Sequence, residues 1–158
     1  MKLSKNDLGS NYSFLELDLM MSYHRIMNKE IENKYKSYPP TVKKEMLELR
    51  KLILDIANKD KEIDFKGEAL KWGEPSFLTK TSGSTLRIDW KEKSPDHISV
   101  FVICQTNLIS MFKELYPNDF EYVGNRELKL PLKEKYSKVK LKKCIGLALK
   151  YNLVKNRF

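Results

Sequence analysis

The chain has 158 residues, of which 41% are hydrophobic and 32% charged, with 30 Lys and Arg side chains against 21 Asp and Glu. This length suits one domain with a substantial core, and the composition excludes a disordered or fibrous chain. No apolar run is long enough to predict a membrane-spanning helix, and residues 1–7 lack the apolar segment of a signal peptide, so we expect a cytoplasmic protein.

The positive charge is concentrated at one end of the sequence. Residues 132–158 contain nine basic side chains and one acid, Glu134, whereas the remaining residues are almost neutral. Five of the 30 cations are Arg, the residue that reads guanine and phosphate in bidentate geometry. Sequence-specific nucleic-acid recognition is therefore disfavoured, while salt-sensitive binding to polyanions stays open.

The first third of the chain is predicted to be mainly helical. Residues 1–20 mix the strand and helix periods and are treated as an N-terminal extension, which leaves residues 21–158 as a single domain. A short helix is predicted over residues 23–35, and Pro39-Pro40 ends it because proline restricts the residue before it. The same segment can open a second helix, with Thr41 as its cap. Apolar side chains then recur every three or four positions, as in an amphipathic helix: Val42, Met46, Leu49, Ile53, Ile56 and Ala57.

From about Ala69 the period of the apolar side chains changes to two, which is typical of strands. A short strand is predicted over residues 76–79, followed by a turn at Ser82-Gly83-Ser84. Residues 85–90 alternate cleanly and place Leu86, Ile88 and Trp90 on one face.

A second predicted strand follows the alternating one. Ser94-Pro95-Asp96 is a turn signal, and residues 97–104 are rich in β-branched and aromatic side chains. Two neighbouring strands with a short polar connection predict an antiparallel hairpin.

The remaining elements complete an α+β pattern. A helix is predicted over residues 108–116, strand character over residues 121–130 across Gly124-Asn125, and a last helix over residues 134–154. We therefore predict an α+β fold in which an antiparallel β-sheet is covered by N-terminal and C-terminal helices. The apolar face of the last helix comprises Leu141, Cys144, Ile145, Ala148 and Leu149.

The common catalytic and cofactor motifs are absent from the sequence, which favours a binding protein over an enzyme. Cys104 at the end of a predicted strand and Cys144 on an apolar helix face are both expected to pack in the core. His24 and His97 have no partner at metal-ligand spacing, so the residues predict no cofactor and no metal.

Polar clusters at predicted strand ends are the candidate ligand site, because loops at strand ends often line pockets. Trp72 offers a stacking surface beside the acceptor Glu74, and further polar groups follow the later strands. A structural alternative stays open: Trp72 and Trp90 fill the core, and Glu74 pairs with Arg87 or Arg126. The candidate ligand-binding residues are Trp72, Glu74, Arg87, Gln105, Thr106, Asn125 and Arg126.

The lysines near the C-terminus have two interpretations. They can bind a polyanion, with Lys135, Lys138, Lys142 and Lys143 as candidate contacts. The alternative is a solvated lysine face, which favours solubility.

Four sequence blocks in order resemble one known family. They are residues 70–79 (LKWGEPSFLT), residues 83–89 (GSTLRID), residues 104–108 (CQTNL) and residues 124–126 (GNR). Together with the flanking helices, they are similar to the YdhG-like domain-of-unknown-function family over residues 28–154. The resemblance implies a frataxin-like α+β fold with no assigned activity for most members.

One branch of that family is described as a frataxin-like iron chaperone, which makes an iron carrier an alternative function here. Iron delivery of that kind is associated with carboxylates on the first helix and at the sheet edge. Residues 41–66 instead mix acids with bases, so the resemblance implies the fold and leaves iron as an alternative only. We expect a YdhG-like domain that binds a small ligand or a protein partner without catalysis.

Overall fold

The computed structural model describes residues 27–157. The predicted extension over residues 1–20 and the start of the predicted helix over residues 23–35 lie outside these residues. The described part contains five α-helices, six strands and a terminal 3₁₀ turn over Lys155–Arg157. The helices are α1 (Lys29–Ser37), α2 (Pro40–Lys59), α3 (Leu108–Leu115), α4 (Lys138–Leu149) and α5 (Tyr151–Val154).

The boundary between the first two helices lies at the two prolines, as predicted. The Asn28 side chain caps α1 by accepting the N–H of Ile31 at 2.9 Å. α2 begins with Pro40 in its first turn, where the missing proline N–H removes no helical hydrogen bond. The prediction that Thr41 caps this helix is wrong: Thr41 lies inside the first turn, and Pro39 occupies the cap position.

Six antiparallel strands form one sheet in the order β1-β2-β3-β4-β6-β5. The predicted α+β class with an antiparallel sheet is confirmed, and four helices share a hydrophobic core with the sheet. The strands are β1 (Phe65–Lys71), β2 (Glu74–Thr79), β3 (Leu86–Lys91), β4 (Ser94–Phe101), β5 (Glu121–Val123) and β6 (Glu127–Pro131).

The first strand was not predicted, because its polar sequence hides the alternation. A register shift between Phe65 and Gly67 breaks the period of two at its start. Glu68 occupies a position on the helix-facing side of β1 where an apolar residue would be expected. Arg50 on α2 donates from Nε to the Glu68 carboxylate at 2.8 Å. Both side chains are buried, so an ion pair occupies a place where a sequence pattern would call for a hydrophobic contact.

The hairpin of β3 and β4 confirms the predicted alternation. Leu86 and Ile88 are fully buried on the face that packs against α2 and α4. The turn lies at residues 92–93, because Lys91 pairs with Ser94, so the turn predicted at Ser94-Pro95-Asp96 is wrong. β4 ends at Phe101, three residues before the predicted end.

The last helix starts later than predicted. Ser137 caps α4 by accepting the N–H of Lys140, so Glu134 and Lys135 precede the helix. Its predicted apolar face is confirmed, and Cys144 is 2% exposed. Burial raises the pKa of the Cys144 thiol to about 12, which makes this cysteine a small hydrophobic core residue.

The loop over residues 80–84 ties the sheet to the end of α4. The Asp64 carboxylate accepts hydrogen bonds from the backbone N–H groups of Lys80, Thr81 and Ser82. It also accepts hydrogen bonds from the side-chain hydroxyls of Thr81 and Ser82. The same Ser82 hydroxyl lies 3.0 Å from the Leu149 carbonyl at the end of α4. The Ser82 and Thr81 hydroxyls hold the pKa of the Asp64 carboxyl well below its usual range.

Gly83 is required at this junction. A Cβ at this position would collide with the backbone carbonyl of Leu149. We expect Gly83→Ala to lower the free energy of unfolding by about 2 kcal/mol or more, because the backbone must shift. Urea unfolding measures this change. Gly146→Ala is the matched control: its Cβ meets open space within α4, so it should stabilise the protein by about 0.5–1 kcal/mol. Equal effects of the two substitutions would contradict the close approach.

Asp64 predicts a pH dependence. A folded-state pKa below the unfolded value means that the carboxylate stabilises the fold above about pH 4 and that this contribution is lost as the pH falls. We expect Asp64→Asn to be less stable than the wild type at pH 7, with the difference shrinking below about pH 4. Urea unfolding at several pH values measures both curves. A difference that stays constant from neutral pH to about pH 3 would show that the Asp64 charge is not responsible.

Candidate functional site

The candidate site lies on the sheet face opposite the buried apolar side chains of β3, Leu86 and Ile88. Because side chains alternate along a strand, Arg87 and Asp89 face away from the direction of Leu86 and Ile88. Cross-strand pairing places Ser76 on β2 and Phe101 on β4 on either side of Arg87. The period of β3 therefore sets both the hydrophobic core and the position of Arg87.

Trp72 and Gly73 form the two-residue turn between β1 and β2. Their φ angles are 52° and 75°, and positive φ at both central residues is the pattern of a type I′ hairpin turn. Glycine adopts this conformation readily, whereas a tryptophan is strained in it. Trp72 is also 84% exposed, so the structural alternative that it fills the core is wrong. Trp90, by contrast, packs against the core.

The Arg87 guanidinium is held in place from three sides. Its Nη1 donates to the Glu74 carboxylate at 2.8 Å, which confirms the predicted Glu74–Arg87 pair. Its central carbon lies 4.9 Å from the centroid of the Trp72 ring and 5.8 Å from that of Phe101. The Arg87 and Glu74 side chains are 12% and 11% exposed, so their attraction is screened less than a surface pair.

A second carboxylate lies beside this pair. Lys91 bridges Glu74 at 3.2 Å and the buried Asp89 at 2.6 Å. The Tyr38 hydroxyl donates to Asp89 at 2.6 Å, and Lys34 of α1 lies 3.3 Å from the same carboxylate. Burial and the hydrogen bond to Asp89 raise the pKa of the Tyr38 hydroxyl, so it stays a donor. Glu74 and Asp89 therefore already have cationic partners.

Two loops bring the remaining candidate residues to the site. The Asn125 side-chain amide donates to the Cys104 carbonyl at 3.0 Å, and the Val102 N–H donates to the Arg126 carbonyl at 2.8 Å. These bonds join the β5–β6 turn to the loop after β4. Thr106 donates from its hydroxyl to the Ile103 carbonyl at 2.6 Å, which closes that loop on itself.

These elements border an open cavity of about 720 Å³. Five of the seven predicted ligand-binding residues line it: Trp72, Glu74, Arg87, Gln105 and Arg126. Asn125 and Thr106 do not line it; their hydrogen bonds shape the loops that do.

Sequence reasoning missed several lining residues. Lys71 precedes Trp72 directly, and its place in a short hairpin would have indicated its position. Cys104 was predicted to be a core residue, but it is exposed at the cavity because β4 ends before it. The other residues that were missed are Thr85, Val102 and Ile103.

The cavity carries a positive charge. Three cations line it (Lys71, Arg87 and Arg126) against one carboxylate, Glu74. Lys71 and Arg126 are exposed, and within residues 27–157 neither forms an ion pair. Because Glu74 is already shared by Arg87 and Lys91, these two cations have no counter-charge in the described part of the chain.

The candidate polyanion-binding lysines are only partly available. Lys138 lies 3.5 Å from Glu48, and the neighbouring Lys140 pairs with Asp119. Lys135 lies before α4, whereas Lys142 and Lys143 are exposed on it. The structure does not gather these four lysines around a cavity, and polyanion binding stays a prediction.

The described residues also bear on the alternative of a metal site. Within residues 27–157, no three His, Cys, Asp or Glu side chains lie together as metal ligands would. His97 instead contacts Asp96 at 2.7 Å through Nδ1. His24 lies outside the described residues. The same part of the chain holds no helix with the length and apolar character needed to span a bilayer.

Comparison with known proteins identifies the fold. No protein-family model matches the chain, and no curated protein matches its sequence. Among solved structures, it is similar to the crystal structure of a DUF1801-family protein, YdhG, from Bacillus subtilis. The TM-score is 0.56 at 13% sequence identity, and the match covers 80% of this chain and 90% of that one. The predicted YdhG-like fold is confirmed, while the likeness to frataxin stays a prediction.

A substitution of Trp72 tests whether the indole stabilises the folded protein. Asn adopts positive φ more easily than Trp, so Trp72→Asn relieves about 1–2 kcal/mol of strain. It also loses the contact with Arg87, which is worth about 0.5–1 kcal/mol at an exposed position. We therefore expect the variant to be at least as stable as the wild type in urea unfolding. A loss of more than about 1 kcal/mol would assign Trp72 a structural role.

Proposed function

We propose that this YdhG-like domain binds a small molecule in the cavity between the β1–β2 turn and the loop after β4, without catalysing a reaction. The observation that carries this proposal is the exposed Trp72 at the edge of the cavity. Trp72 gains little burial, and its backbone adopts a conformation that disfavours tryptophan. Strain at an exposed aromatic residue is typical of sites that contact a ligand.

The shape of the cavity supports a small ligand over a protein partner. Its volume of about 720 Å³ lies in the range of known small-molecule pockets. Apolar side chains from Trp72, Val102 and Ile103 line it together with a few polar groups that converge from separate elements. A protein interface is expected to be flatter and to cover a larger surface.

The chemistry of the lining supports binding. The carboxylate, Glu74, is engaged by two cations and is not free to act as a general base. The thiol, Cys104, has no imidazole beside it among the residues that line the cavity. The other polar groups are cations, a hydroxyl and an amide, which recognise a ligand through hydrogen bonds and charge.

Cys104 allows the proposal to be tested. It lines the cavity, whereas Cys144 is buried in the core, so N-ethylmaleimide should modify Cys104 alone in the folded protein. We expect members of a diverse fragment panel, with anionic, neutral and cationic compounds, to slow this modification and to raise the melting temperature. Mass spectrometry of the Cys104 peptide measures the rate.

The variants decide whether the protection comes from the cavity. Trp72→Asn should abolish protection by the fragments that bind, while Val139→Ser, at an exposed apolar position on α4, should leave it unchanged. If no fragment protects Cys104 in the wild type, the cavity is not a ligand site. The same conclusion follows if the fragments protect Cys104 in the Trp72→Asn variant as well as they do in the wild type.

A further inference from the structure

We infer that the ligand of this cavity is a planar anion: a flat, unsaturated ring that carries a carboxylate or a phosphate. This inference rests on the proposed function and adds the chemical class of the ligand. The structure places an open aromatic surface and uncompensated cations around the same cavity.

The charge balance favours an anion. Lys71 and Arg126 enter the cavity from different elements, the end of β1 and the β5–β6 turn, and neither has an acidic partner within residues 27–157. The nearby acids, Glu74 and Asp89, are each bridged by Lys91. A cationic ligand would therefore meet like charges and no free carboxylate, whereas an anion would be attracted to the cavity.

Arg87 adds directional recognition. One of its terminal nitrogens is bound to Glu74, and the guanidinium has five N–H donors in a fixed plane. Within the described residues, no other side-chain hydrogen bond of Arg87 is formed, so donors remain for a ligand. A planar fork of donors matches two oxygens of a carboxylate or phosphate better than a lysine ammonium does.

Trp72 favours a flat ring as the second part of the ligand. The Arg87 guanidinium lies over one face of the indole at 4.9 Å, and Trp72 is 84% exposed. A ring that covers the open face of the indole would lie in the cavity that Lys71, Arg87 and Arg126 also line. Flat unsaturated rings such as nucleobases stack favourably on exposed aromatic side chains.

The first test measures the charge preference without any ligand. Iodoacetate is anionic and iodoacetamide is neutral, and both alkylate a thiol. The ratio of the two rates at Cys104 cancels the intrinsic reactivity of the thiol. We expect the ratio in the folded protein to exceed that in the urea-unfolded chain at equal salt by on the order of tenfold.

Matched variants locate the source of this preference. Arg126→Gln and Lys71→Gln should each lower the ratio, and Lys113→Gln, which removes an exposed cation on α3, should not. A folded-state ratio equal to that of the unfolded chain, or a ratio that Arg126→Gln and Lys71→Gln leave unchanged, would overturn the anion preference.

The second test uses a series of related probes. Protection of Cys104 from N-ethylmaleimide is measured with 2-naphthoate, 2-naphthyl phosphate, 2-naphthol and cyclohexanecarboxylate. At least one naphthyl anion should bind about tenfold or more tightly than 2-naphthol, because a charge-assisted hydrogen bond is stronger than a hydrogen bond between neutral groups. 2-Naphthoate should also bind more tightly than cyclohexanecarboxylate, which cannot stack. Arg126→Gln should remove the tighter binding of the naphthyl anions relative to 2-naphthol. Trp72→Asn should remove the tighter binding of 2-naphthoate relative to cyclohexanecarboxylate.

The outcomes separate this inference from the proposed function. If 2-naphthol protects Cys104 as well as both anions do, the cavity binds ligands but does not select anions, and the inference is wrong. If cyclohexanecarboxylate protects as well as 2-naphthoate does, the requirement for a planar ring is wrong. If neither these probes nor the fragment panel protect Cys104, the proposed function itself fails.

Discussion

The ion pair between Arg87 and Glu74 is the interaction on which the candidate site depends. It joins β3 to the first residue of β2 and therefore fixes the base of the β1–β2 turn, which carries Trp72. Because both side chains are largely removed from solvent, either charge alone would be costly to keep in this position. The pair also leaves part of the guanidinium unused, so the contact that orders the sheet face also positions donors in the cavity.

The β1–β2 turn shows the clearest conflict between local preference and observed structure. A two-residue turn with positive φ at both positions favours Asn-Gly, but this chain has Trp72-Gly73. The indole contributes no core packing, and its contact with Arg87 is too weak to explain the choice of residue at a strained position. A residue type that conflicts with its local backbone conformation is expected at ligand-binding sites, and Trp72 lies beside the cavity.

Local charge in this protein differs from what its net charge of +9 suggests. Much of the excess lies in residues 132–158, where Lys140 and Lys150 are engaged by acids from other parts of the fold. The cavity draws its cations from the nearly neutral part of the sequence, through two hairpins and one strand. The distribution of net charge along the sequence therefore indicates α4 as the most basic element. The unpaired cations that line the cavity, Lys71 and Arg126, lie outside α4.

Much of the fold follows from sequence patterns that are local. The period of two in β3, the period near four in α2 and α4, and the two prolines between α1 and α2 each depend on neighbouring residues, and all three predictions were confirmed. β1 could not be predicted in this way, because Glu68 is accommodated on its inner face only through an ion pair with Arg50, a residue on another element.

The candidate site also contains residues that the sequence predicts and residues that only the tertiary structure places. The sequence alone determined which unusual residue types follow the strands, and most of them line the cavity. Only the tertiary structure decided that Cys104 is exposed, that Asn125 supports a loop rather than the cavity, and that Lys71 belongs to the site. These positions depend on strand register and on hydrogen bonds between residues far apart in the chain, and neither leaves a periodic signal in the amino-acid order.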